Sequence, residues 1–269
     1  MLHVPRLYER AVPDRASFDS LWDINNGKTF FTGPLYYNAN HQHGAPVFLA
    51  GIYGSFRLRV QGGDWLSCRT AVIPAGVLHE LDLGGDPLSV FYIEPTIAGV
   101  HALLPLIKNT CEVNGALAGG GGEISFMRDL YEDRYNPQWS SEPLDDLLAF
   151  SKKRSGAGGL IDPRISQAVE FLFDHGDDLT PLTSLSNSVG LSPSRFQHLF
   201  TDQIGVPFRR YRSWNRIRLA IREIIKGHNF TTAAHIAGFT DSAHFSHEFR
   251  KTFGAAPTIG LKKLARLQP

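Results

Sequence analysis

The chain has little cysteine, little methionine and no long apolar run. Cys68 and Cys111 are its only two cysteines, and neither has a Cys-x-x-Cys partner. A disulfide framework or a thiolate metal cluster is therefore excluded, and reduced thiols are expected. Cys68 falls in an expected strand and reads as a small core residue. No apolar stretch approaches the roughly 20 residues of a membrane span, and the first residues form no charged-then-apolar leader. A cytoplasmic chain with no membrane partner is expected. Charge of one sign is also scarce, with 27 Lys and Arg against 26 Asp and Glu. It is unevenly placed, however. Fourteen of the basic and nine of the acidic residues lie from Leu160 onward, so this part is net basic and the rest net acidic. That split suits one domain that meets a polyanion and one that does something else. A length of 269 residues allows two domains of ordinary size.

The basic part contains one pattern twice, SLSNSVGLSPSRFQHLFTDQIGVPF from Ser184 and TAAHIAGFTDSAHFSHEFRKTFGAAP from Thr232. Each reads as a short helix, a glycine turn (Gly190, Gly238) and a second helix with phenylalanines at helical spacing. In the first copy Ser192 and Pro193 are an N-cap and a first-turn proline. Phe196, Leu199 and Phe200 should then face inward, leaving Ser194, Arg195, Gln197, His198 and Thr201 outside. In the second copy Asp241 or Thr240 can cap. Phe239, Phe245 and Phe249 form the buried face, with Ser242, Ala243, His244, Ser246 and His247 outside and Arg250 and Lys251 one turn later. Two such helices on one chain can read two successive major grooves of double-stranded DNA. Between the copies, Pro207 to Gly227 reads as one helix, with Phe208, Tyr211, Trp214 or Ile217, Ile221 and Ile224 or Ile225 as its apolar stripe. Arg209, Arg210, Arg212, Arg216, Arg218 and Arg222 crowd the remaining surface. About 20 helical residues span about 30 Å, close to the ~34 Å repeat of B-DNA.

The strings VGLSPSRFQHLFTDQIGVPFRRYRSWNRIRLA and HIAGFTDSAHFSHEFRKTFGAAP resemble the DNA-binding domain of the AraC/XylS family of bacterial transcription regulators. The resemblance implies seven helices, two of them in successive major grooves. It places Ser194, Gln197 and His198 as base readers in one groove, and Ser242, Ala243, His244 and His247 at the matching positions in the other. His198 and His247 stand where the family often has arginine, and Ala243 where it often has glutamine. A bidentate arginine contact to guanine is therefore unavailable there, which leaves the target sequence open.

The acidic part reads as short strands: 29–37, 46–53, 55–60, 65–73, 77–83 and 88–93, separated by Gly- and Pro-rich turns. Many short strands argue for a barrel or sandwich. His41-Gln42-His43, Gly54 and then Pro74-Ala75-Gly76-Val77-Leu78-His79 resemble the two motifs of a cupin barrel, a common partner of AraC-type domains. In cupin enzymes two histidines, a glutamate and a later histidine hold a metal. Here His41, His43 and His79 supply three histidines, but the glutamate position falls at Val47 or Phe48. No cofactor is expected. The three imidazoles read as an effector-sensing group, with a divalent metal as the alternative. Trp22, Phe30, Tyr36, Phe48, Tyr53, Trp65 and Tyr92 are candidates for an apolar pocket wall. Arg57 and Arg59 point either into the barrel or into solvent.

From Thr96 to Phe150, HALLPLIKN, EISFMRDLYEDRY and EPLDDLLAFSKKR read as amphipathic helices broken at Gly119 to Gly122 and at Asn136-Pro137. The resemblance places dimerising helices in this stretch. The expected organisation is a cupin-like β-barrel sensor at 1–95, a helical dimerisation segment at 96–154, a linker at 155–161 and the DNA-binding domain at 162–264, with helix-turn-helix units at about 181–202 and 229–252. The fold class is two-domain α+β. The expected protein is not an enzyme. It is a sequence-specific DNA-binding transcription regulator, an effector-responsive homodimeric activator that contacts RNA polymerase in the bacterial nucleoid. A metal-dependent cupin-type enzyme with an auxiliary DNA-binding domain and a ligand-independent DNA binder are the alternatives.

Overall fold

The computed structural model describes residues 20–25, 27–133, 142–155, 161–175 and 180–261. The expected 155–161 linker, the Asn136-Pro137 break and the end of the 162–264 domain lie partly or wholly outside them. The class is α+β with two parts, as the patterning implies. Eleven antiparallel strands form two sheets among the described residues.

The larger sheet has the order β1-β2-β9-β4-β7-β11-β10. Its strands are β1 (Leu21–Ile24), β2 (Lys28–Pro34), β9 (Pro87–Ile93), β4 (Val47–Gly51), β7 (Thr70–Ile73), β11 (Ala116–Gly122) and β10 (Ile107–Val113). The smaller has the order β3-β8-β5-β6, from β3 (Tyr37–His41), β8 (His79–Asp82), β5 (Phe56–Val60) and β6 (Leu66–Cys68). No ladder joins the two sheets edge to edge among the described residues, so the barrel is open. The expected 65–73 strand breaks at Arg69. Its first half pairs with β5 and its second with β4, so one apolar run serves both sheets.

The central strands are buried on both faces because each face meets its own core. Val47 and Leu49 of β4 point to one core, Phe48 and Ala50 to the other. In β9, Leu88, Val90 and Tyr92 face the first, and Phe91 and Ile93 the second. A strand covered on both faces reads as a continuous apolar run, not an alternating one. The second core is roofed by a short 3-10 helix (Val100–Leu106), α1 (Ile124–Glu132) and α2 (Glu142–Ser155). The fully buried Lys28 ammonium is paired with Asp145 and ties α2 to β2.

One expectation is corrected here. The stretch after the 3-10 helix is a β-hairpin, β10 and β11, where a helix and a glycine break were read. The glycines are in a strand because the backbone is crowded. A Cβ at Gly119 would come within 2.7 Å of Thr70 Oγ1 and of Ile107.

Among the described residues the C-terminal part has seven helices, the number the resemblance implies: α3 (Pro163–His175), α4 (Leu182–Ser188), α5 (Pro193–Ile204), α6 (Phe208–Ile225), α7 (Phe230–Ile236), α8 (Ser242–Phe253) and α9 (Pro257–Leu261). Its phenylalanine core is continuous with the first β core.

Candidate nucleic-acid interface

The two helix-turn-helix units are built by the same local chemistry. The Ser192 side chain accepts from Arg195 N at the start of α5, at 3.3 Å. Asp241, not Thr240, does the same for His244 N at the start of α8, at 2.7 Å. Both turns place glycine at positive φ, 70° at Gly190 and 76° at Gly238. Phe196 and Phe200 of α5 pack edge-on against Phe208, each at 5.1 Å between centroids. Phe245 of α8 packs on Phe239 and Phe249 at 5.6 and 5.7 Å.

The opposite faces are open. Ser194, Arg195, Gln197 and His198 on α5 are exposed, as are Ala243, His244, His247, Arg250 and Lys251 on α8, while Ser242 is half-buried. Lys251 lies 3.6 Å from Glu248, and the His244 ring stands edge-on to Phe239. Between α5 and α8, along α6, runs a cleft of about 670 Å³ lined by Gln197, Arg209, Arg210, Arg212, Arg216, His244 and Lys251 among others. Its basic concave floor joins the two exposed faces.

Behind α6 lies an arrangement that patterning did not show. Arg218, read as one of the surface arginines, is buried. Its guanidinium is paired with the Glu94 carboxylate, with the Asn25 carbonyl and, at 2.8 Å, with Thr29 Oγ1. Tyr211 and Trp214 donate to the same carboxylate at 2.8 and 3.3 Å. Trp214 is in the stripe; Tyr211 is pushed well above the usual tyrosine range by burial and then by the Glu94 charge. Arginine spacing alone could not separate Arg218 from its neighbours. The one available signal was its i+4 relation to Trp214 and i+7 relation to Tyr211, on the apolar stripe.

The three histidines come together, all buried. His41 and His79 have ring centroids 4.2 Å apart, with His43 at 4.8 and 4.7 Å from them. Their ring nitrogens lie within 4.8 Å of one another, and no carboxylate or thiol joins them among the described residues. His41 Nδ1 faces the Ala39 carbonyl at 2.7 Å and His79 Nδ1 the Val77 carbonyl at 2.9 Å. A carbonyl only accepts, so the proton sits on Nδ1 and the lone pair on Nε2. His43 Nε2 meets Tyr92 Oη at 3.2 Å. His43 Nδ1 and His79 Nε2 are buried without a hydrogen-bond partner in the structure. Burial holds all three well below the ordinary imidazole range, His79 down to about 4, so they are neutral. Neutral rings with buried free nitrogens fit a divalent transition-metal ion.

The cluster opens onto a small cavity, about 40 Å³, lined by Trp22, Phe31, Asn38, Tyr92, Phe249 and Phe253 among others. Phe249 and Phe253 come from α8. Of the expected pocket wall, only Trp22 and Tyr92 line this cavity. Phe30 and Phe48 face the second core and Tyr36 is exposed. Arg57 and Arg59 point outward, onto Asp82, Glu80 and the Trp65 ring. Phe253 forms part of the cavity wall, with its ring centroid 6.1 Å from His43 and 6.3 Å from Tyr92. Asn38 Nδ2 donates to the Phe253 carbonyl at 2.7 Å, and Ala39 N to the Gly254 carbonyl at 2.9 Å.

Comparison with known proteins agrees with this architecture. Residues 185–262 match the family model described as a helix-turn-helix domain. Over 100 residues the chain is 33% identical to the arabinose operon regulatory protein of Escherichia coli, covering 36% of this chain and 34% of that protein. Over 249 residues it is 20% identical to the HTH-type transcriptional regulator NimR of Escherichia coli, covering 91% of this chain and 88% of that protein. In fold it resembles fatty-acid-bound ToxT from Vibrio cholerae, with a TM-score of 0.58 at 15% identity over 90% of this chain and 98% of ToxT. The chain is thus a two-part helix-turn-helix protein. More narrowly, residues 185–262 of its C-terminal part are a helix-turn-helix domain, similar to a segment of the arabinose operon regulatory protein. The matched segment spans about a third of the arabinose regulator's length.

Proposed function

We propose that the chain is a sequence-specific DNA-binding transcription regulator whose N-terminal part is a sensor. The observation that carries this is the pair of exposed polar faces on α5 and α8, held by one helix beside a basic cleft. An 18-residue α6 is about 27 Å long, of the same order as the ~34 Å repeat of B-DNA, which supports contact with successive grooves. Ser194, Arg195, Gln197 and His198 enter one major groove, and Ser242, Ala243, His244 and His247 the next. Arg250 and Lys251 meet phosphates. The protein acts in the bacterial cytoplasm as a homodimer through its α1 and α2 region, and activates by touching RNA polymerase. No helix among the described residues is long and apolar enough to cross a membrane. ToxT, whose fold is shared, is a protein seen with a bound unsaturated fatty acid.

The sensor reading rests on the seam between the two parts. The cavity beside the histidines is about 40 Å³, against roughly 300–1,000 Å³ for an ordinary small-molecule pocket. A substrate or organic effector has no room there while Phe253 is seated. Selection of bound sequences from a random DNA pool, followed by footprinting, tests the proposal. A recovered motif with two protected major grooves on one face supports it, and the absence of any enriched sequence overturns it.

A further inference from the structure

Resting on the regulator reading, we propose that the effector is a divalent transition-metal ion of the Zn²⁺ class, bound by His41, His43 and His79, and that it fastens α8 to the sensor. An ion fits a space that excludes an organic ligand. Two of the rings are already oriented by carbonyls that fix the proton on Nδ1, the usual arrangement around a metal-bound imidazole. Two buried ring nitrogens have no other hydrogen-bond partner. Zn–N bonds near 2.0–2.1 Å at tetrahedral angles set ligand nitrogens about 3.4 Å apart. The present nitrogens lie within 4.8 Å, so loading draws the rings together by side-chain shifts.

No carboxylate completes the set among the described residues. The fourth position is therefore left to water, and the ion stays exchangeable, unlike a closed four-ligand structural site. A bound water in this cavity needs an acceptor. Asn38 lines the same cavity, and its Oδ1 is buried without a hydrogen-bond partner. Its Nδ2 already donates to the Phe253 carbonyl. Two connections thus run from the ion to the end of α8. One passes from water through the Asn38 amide to Phe253. The other is the β3 backbone itself: His41 Nδ1 is bonded to the Ala39 carbonyl, and the Ala39 N–H, part of the preceding peptide group, donates to the Gly254 carbonyl. Metal ligation makes an imidazole N–H a better donor, and bonds in a chain polarise one another. The Asn38 route therefore tightens on loading, the Ala39 segment is held by its bond to the ligated His41, and the closed form gains.

Untagged full-length protein, stripped with a chelator and then given Zn²⁺ or Co²⁺, tests this without DNA. The expected results are one ion per chain by native mass spectrometry and a low-coordinate nitrogen-ligated Co²⁺ spectrum. Backbone amides of 245–254 should exchange at least tenfold more slowly with the ion than without. His79→Gln should lose the ion. Asn38→Ala should keep it but lose most of the protection. If His79→Gln does not fold, the Co²⁺ spectrum of the wild type still decides the ligation. No ion at equimolar metal overturns the site, and a bound ion with unchanged exchange in α8 overturns the coupling. Failure to enrich a DNA motif would sink the regulator reading and leave both of these results standing.

Discussion

Arg218 on α6 and Glu94 just after β9 form a buried ion pair across the seam between the two parts of the chain, with side chains 6% and 1% exposed. It is the centre of a cluster in which Tyr211, Trp214 and Thr29 satisfy the remaining donors and acceptors. Such a pair is weak evidence of net stability, because both charges have left water. Removing one partner is another matter, since the other charge stays buried.

Glu94→Ala should therefore destabilise the closed full-length protein by about 3–5 kcal/mol. Thermal unfolding checks this. The double variant Glu94→Ala, Arg218→Met should recover much of the loss. If the double variant is as unstable as the single one, the pair is not the origin of the effect.

His198→Ala and His247→Ala should weaken specific binding with little change in folding, because both side chains are exposed. Each lost base-edge contact is worth roughly 1–3 kcal/mol. Quantitative footprinting on the selected sequence is the measurement. Unchanged affinity and sequence preference in both variants would remove these helices as readers.

The fragment 160–269 should fold on its own phenylalanine core and bind DNA, with affinity falling steeply as salt rises through counterion release. It should also self-associate more than the intact chain. Cutting the seam uncovers Tyr211, Trp214 and Phe253, which are buried in the full protein. Circular dichroism and light scattering read the two outcomes. A fragment that is unfolded would show that the shared core is indispensable.

Asp241→Ala removes the side chain that accepts from His244 N at the start of α8. A lost N-cap costs about 0.5–2 kcal/mol, read as a lower melting temperature. The exposed Thr240 beside it should not rescue the loss, since it makes no cap bond in the structure.

Most of the C-terminal part was legible because its signals are local. Caps, glycine turns and phenylalanine spacing each act within a few residues, and they specify α4 to α8 closely. The central strands were legible as apolar runs, and the order of the three histidines was enough to group them. The β10–β11 hairpin was not, because β11 is half glycine and carries no strand signal of its own. Its place is set by β7, more than 40 residues earlier. The seam was not legible either. Whether Arg218 or Arg216 turns inward depends on Glu94, a partner 124 residues away, and nothing in the arginine spacing encodes that. Phe253 of α8 lines a cavity beside the histidines of the other part of the chain, and no local pattern singles it out.

Gly254 shows what this seam does to interchangeability. It ends α8 at a φ of 71°, and a Cβ there would lie 2.3 Å from the Ala39 carbonyl oxygen and 2.7 Å from His41 Nδ1. The end of α8 is thus moulded to the β3 edge of the smaller sheet. The two parts are not exchangeable modules. Grafting this DNA-binding domain onto a related sensor would join surfaces that have not been fitted to each other, and the chimaera would be free of control before it was free of contact with DNA.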